Sequence, residues 1–124
     1  MNIPGKVDNI IYLASPYTHD DQRIVNQRHR DICEISANMM RAGKIVFSPI
    51  AHTHEMARLH KLDAKWGEFW ERQCLAMVKA CDEFGIVRLP GWVVSNGMIA
   101  EHNYAFDIGK PIIEIDPEDW LRKW

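Results

Sequence analysis

Glu101 follows a Ser95-Asn96-Gly97 run that starts a helix. Ser95 or Asn96 can cap it, because a side-chain oxygen there accepts from a backbone N–H of the first turn. Gly97 lets a ligand approach the backbone closely. The free N–H groups of a helix start favour an anion. Glu101 sits one to two turns further in, on a helix that otherwise packs with Ile99, Ala100, Ala105 and Ile108. Two readings are open. The carboxylate can point into a pocket, or it can face solvent and merely complement the helix dipole.

Other residues carry weaker chemical signals. His52 and His54 form an alternating pair, with His60 and Asp63 near in sequence. This spacing fits no standard zinc motif, and Arg58 stands where HExxH would need its second histidine. The expectation is no metal and no cofactor, with one histidine facing a site to touch a base or phosphate and the other solvated. Arg23, Arg28 and Arg30 share a long helix. They are either a solvated face or a source of bidentate phosphate contacts. Trp70 and Trp92 can stack on a base, or pack the core and anchor a loop respectively. Cys81 reads as a buried thiol at a helix end. P-loop, dinucleotide-fingerprint and hydrolase-elbow patterns are absent from the sequence.

These residues must be positioned by alternating elements. Apolar runs at 10–14, 45–47, 84–89 and 111–115 predict four strands. Helical spacing predicts helices from Asp20 or Asp21 to Gly43, over 63–80 and over 96–108, and a short tryptophan-rich helix at the end. The stretch 51–60 is left open between loop and short helix. The order implies an α/β fold: a small doubly wound parallel sheet of about four to five strands flanked by helices, Rossmann- or flavodoxin-like. Its crossovers are right-handed. Ligands bind outside the carboxyl ends of such strands. The loops at 15–20, 48–54 and 90–97, and the chain after Ile115, therefore surround one expected site.

Taken in order, Ser95-x-Gly97-x-x-x-Glu101-x-x-x-Ala105-x-x-x-Gly109-Lys110-Pro111 resembles the C-terminal signature of the nucleoside 2-deoxyribosyltransferase superfamily. Its members also include 2′-deoxynucleoside 5′-phosphate N-hydrolases and pyrimidine-nucleotide N-hydrolases. Ile11-Tyr12-Leu13-Ala14-Ser15-Pro16-Tyr17 is similar to the family's first strand and nucleotide loop, and 43–50 to its second strand. Ser48-Pro49-Ile50 with His52 and His54, and Leu89-Pro90-Gly91-Trp92, resemble a small branch of it. The similarity spans nearly the whole chain.

The resemblance implies roles. Glu101 matches the family nucleophile, which attacks the anomeric carbon of a (deoxy)ribosyl group. A carboxylate suits this work because glycosidic cleavage passes through an oxocarbenium-like state that it can stabilise or trap. Tyr12 matches a site tyrosine, and Ser95 a position that holds a 5′-phosphate. Ser15, Pro16 and Tyr17, Arg28, Ser48, Ile50, His52 and His54, Trp70, Trp92, Asn96 and Gly97 complete the expected substrate contacts. The family's aspartate, on the helix before strand three, falls at Cys74, a poor substitute in acid–base work. Glu71, three residues earlier on the same helix, is the expected replacement.

The expected function is therefore an N-glycosidase, or a deoxyribosyltransferase, acting on a nucleoside or nucleoside 5′-monophosphate, with hydrolysis favoured. A nucleotide-binding module or sensor without turnover is the alternative from another class, and an NAD-type glycohydrolase the alternative substrate. Relatives of this kind assemble as homodimers or larger. Trp120 and Trp124 suit an interface, or cap the domain's own core.

Composition narrows the partners. The chain has 124 residues, 47% hydrophobic and 26% charged, with a net charge of −2. That fits one domain, residues 1–124, burying roughly two-thirds of its unfolded surface. Interspersed charges and a slightly acidic balance argue against polymeric nucleic acid. Three cysteines without CxxC spacing argue against a disulfide framework and suit a reducing cytosol. Neither a signal peptide nor a membrane-spanning run is legible, so a cytoplasmic location is expected.

Overall fold

The computed structural model describes residues 9–62 and 66–121. Its centre is a four-stranded, all-parallel sheet in the order β2-β1-β3-β4. The strands are β1 (Ile10–Ala14), β2 (Ile45–Phe47), β3 (Glu83–Val87) and β4 (Ile112–Ile115). The helices are α1 (Gln22–Arg41), α2 (Pro49–His60), α3 (Glu68–Ala80) and α4 (Asn96–Asp107). The α/β fold expected from the alternating pattern is therefore the one observed.

Strand β1 shows why both faces are covered. Successive side chains point to opposite faces. Ile11 and Leu13 join Ile32, Ile35 and Met39 of α1 in one core cluster. Tyr12 and Ala14 join Cys74 and Val78 of α3, and Met98 and Ala105 of α4, in the other. A strand buried on both faces has no polar alternation, and IIYLA has none. Gly85 of β3 lies where a Cβ would meet Ile115 Cδ1 at 2.7 Å and Ile11 Cγ2 at 3.1 Å. It lets neighbouring side chains close over the sheet.

Helix ends follow local chemistry. Asp21 caps α1, its carboxylate accepting from the Arg23 N–H at 2.9 Å. Gly43 lies just past the end with φ of 89°, as a C-terminal glycine cap requires. Ser48 caps α2, accepting from the Ala51 N–H at 3.1 Å, and Pro49 takes the first turn, where a missing N–H is harmless.

That second cap corrects an expectation. The open stretch is helical throughout, and the expected loop at 48–54 is mostly the first turns of α2. Elsewhere α3 begins at Glu68, and Asp63 lies outside the described residues. The tryptophan-rich end forms only a 3₁₀ turn at Pro117–Asp119 among the described residues, which exclude Trp124. Trp120 packs against the α1-side core and accepts from Asn38 through its carbonyl, so it caps the domain's own core. Among the described residues, no helix is long and apolar enough to cross a membrane.

Candidate active site

From β1 the chain runs to β2 on one side and then crosses back to β3 on the other. This reversal opens a crevice at the carboxyl ends of β1 and β3. A cavity of about 450 Å³ occupies it, within the ~300–1,000 Å³ range of small-molecule sites. The loop after β1 contributes Ser15, Tyr17, Thr18 and Asp20 to its wall. Helix α2 contributes Pro49, Ile50, Thr53 and Ala57. Trp66, Trp70 and Cys74 come from α3 and the segment before it, Val94 from the turn before α4, and 95–98 and Glu101 from the cap and first turns of α4.

Glu101 settles the first open question. It is only 4% exposed and lines this cavity. The Tyr12 hydroxyl donates to its Oε2. Tyr12 is itself fully buried, its ring stacked on Phe84 at 5.7 Å and tilted against Phe47 at 6.0 Å. Burial raises the Glu101 carboxyl to about 7, against hydrogen bonds from Tyr12 and Cys74 that act to lower it. The Tyr12 phenol is held well above its usual range, by burial first and then by the Glu101 carboxylate. The Cys74 thiol is pushed up to about 12, again by burial first and then by Glu101. The floor is thus a carboxyl poised near neutrality between two neutral donors.

Ser15 adds a second feature. It is 6% exposed, and its hydroxyl has no hydrogen-bond partner among the described residues. Buried hydroxyls are normally paired. This one borders the cavity, where a ligand can pair it.

The other expected site residues divide. Tyr17, Ile50, Trp70, Ser95, Asn96 and Gly97 line the cavity with Ser15 and Glu101. Ser95 caps α4, its hydroxyl accepting from the Met98 N–H at 3.4 Å. The space over Gly97 is taken by Trp66 rather than left for a ligand; a Cβ would sit 2.9 Å from the indole.

Several expectations are corrected. Glu71 is exposed and off the cavity, because α3 turns Cys74 inward instead. Pro16 is buried and does not border it. Ser48 is occupied as the α2 cap, and Trp92 packs into the α3/α4-side core. His52 is exposed against Phe47, at 5.6 Å between rings. His54 is buried behind the wall, its Nδ1 bonded to the Tyr17 hydroxyl at 2.7 Å and its ring stacked on His29 at 3.7 Å. Neither histidine faces the cavity. Arg28 does not face it either. Its guanidinium donates to the carbonyls of Thr18 at 2.9 Å and Pro90 at 3.3 Å, tying the loop after β1 to the loop after β3. Among the described residues, no three His, Cys, Asp or Glu side chains converge on a possible metal position.

Sequence reasoning missed Trp66 and Ala57, and reached Thr53 and Asp20 only as members of the loops at 48–54 and 15–20. With α2 read as a helix from Pro49, Ile50, Thr53 and Ala57 fall on one face by their spacing. Asp20 lies in the loop at 15–20 expected around the site, but its side chain is otherwise read as a helix cap, a role that Asp21 fills.

A family profile described as a domain of unknown function, DUF1937, matches residues 9–116. A search among curated proteins returns no match. The profile spans both the sheet and every element around the cavity, and the chain therefore belongs to the DUF1937 family.

Proposed function

We propose that the protein cleaves the N-glycosidic bond of a nucleoside or nucleoside 5′-monophosphate, with Glu101 as nucleophile and hydrolysis as the outcome. One observation carries this reading: a buried carboxyl at the floor of a tryptophan-walled cavity, fixed by the hydroxyl of a buried tyrosine. Ionised Glu101 attacks the anomeric carbon as the bond to the base breaks. The bonding pair leaves with the base, which takes a proton from solvent. Water then attacks the glycosyl–enzyme ester, releasing the sugar and the Glu101 carboxylate. Tyr12 holds one carboxylate oxygen in place. Trp66 and Trp70 offer aromatic surface for a base, and the Ser15 hydroxyl a partner for the sugar.

Cys74 favours a second reading, a nucleotide-binding module without turnover. A thiol that stays neutral up to about pH 12 delivers no proton to a leaving base. Free-base release from nucleosides, their 5′-monophosphates and NAD, followed by chromatography for wild type and Glu101→Gln, separates the two. Release by wild type and its loss in the variant is the expected result. Binding with no release over hours supports the module.

A further inference from the structure

The cavity wall has a definite charge character. Two carboxylates border it: Glu101 at the buried floor, and Asp20 on the exposed stretch of the loop after β1. The remaining polar side chains there are neutral: hydroxyls of Ser15, Tyr17, Thr18, Thr53 and Ser95, an amide at Asn96, the Cys74 thiol, and indoles. Among the described residues, no lysine, arginine or histidine lines it. Arg28 is turned away, its donors held by the Thr18 and Pro90 carbonyls. His54 lies behind Tyr17. The start of α4 adds only about half a positive charge, against the Asp20 carboxylate and a Glu101 carboxyl that is partly ionised near pH 7.

A phosphate dianion entering such a cavity leaves water and meets carboxylates without a cation to offset them. An uncharged sugar does not incur that cost, and its hydroxyl groups match this wall. The Ser15 hydroxyl is an unpartnered buried group on the same wall. A carboxylate at the rim accepts from ligand hydroxyls as readily as it repels an anion.

We propose that the cavity selects an uncharged nucleoside over its 5′-monophosphate and that Asp20 enforces this choice, an inference that rests on the glycosidase reading of the same site. Asp20 is exposed, and replacing an exposed side chain changes stability little.

The test measures binding apart from turnover. Thymidine, deoxycytidine, deoxyadenosine and deoxyguanosine are titrated calorimetrically into Glu101→Gln protein beside their 5′-monophosphates. At least one nucleoside is expected to bind about tenfold or more tighter than its monophosphate, a gap that narrows at high salt. Adding Asp20→Asn is expected to shrink the gap to about threefold or less, mainly by strengthening monophosphate binding. Equal or tighter binding of the monophosphate, an unchanged gap in the double variant, or binding of none of the nucleosides overturns the proposal. Base release by wild type is followed in parallel. A binding preference without release sinks the glycosidase reading and leaves the charge selection standing. Preferential release from monophosphates sinks the charge selection and leaves the glycosidase reading standing.

Discussion

Glu101 and Tyr12 meet from opposite ends of the sequence, one on α4 and one on β1. Their hydrogen bond favours the ionised carboxylate, opposing the burial that disfavours it. A nucleophile must be ionised, so kcat/KM is expected to rise with pH through about 7 and then level off. Tyr12→Phe removes the bond and keeps the ring that stacks on Phe84. The Glu101 carboxyl then rises further, and the ascending limb moves to higher pH. At pH 7 the loss is expected to be at least about tenfold, partly recovered in alkali. A pH–rate profile of both proteins checks this. A limb that descends through 7 in wild type would make Glu101 an acid rather than a nucleophile. The residue types here were legible from sequence, because a Ser-x-Gly start with a following glutamate has a chemical meaning. The burial of Glu101 was not, since one helical turn decides whether a carboxylate meets solvent or Tyr12.

Element α2 shows where pattern reading ran out. Its residues alternate small, polar and apolar types with no clean stripe, and Pro49 reads equally as a strand stop or a first-turn residue. The Ser48 cap resolves this only once the backbone is seen. The alternating histidine pair suggests a ligand contact while 51–60 stays open between loop and short helix. On a helix, His54 turns toward α1 and stacks on His29, while Ile50, Thr53 and Ala57 face the cavity. Arg28 likewise holds elements rather than ligand. Gly91, with φ of 95°, has the guanidinium packed where a Cβ would stand. Arg28→Ala unties the loop after β1 from the loop after β3. The expected cost is about 1–2 kcal/mol of stability, with KM raised more than kcat is lowered. Denaturant titration and steady-state kinetics measure the two. A normal KM would show that the loops hold their places without the clamp.

At the scale of the whole molecule, the parallel sheet was legible because every strand is apolar on both faces, and such strands need helices on each side. That topology dictates the crevice, so the general position of the site followed from element order. Its stability carries a signature of the same burial. Glu101 binds its proton more tightly in the folded protein than at its ordinary value of 4.5. Between about 4.5 and 7 the folded state therefore holds more protons than the unfolded state, and stability falls as pH rises. His29 works the other way. Burial, reinforced by His54, lowers its pKa, so its contribution grows as pH rises toward the ordinary 6.5. Above that value the histidine's contribution is complete, and stability continues to fall with pH through the glutamate. Glu101→Gln keeps the shape of the side chain and removes the titration. It is expected to be more stable than wild type at pH 8, by up to about 3 kcal/mol, and near wild type at pH 4.5. Thermal unfolding of both proteins at the two pH values checks this. A difference independent of pH would mean that Glu101 is ionised without penalty, and the buried carboxyl would lose its claim to be a site built at the expense of stability.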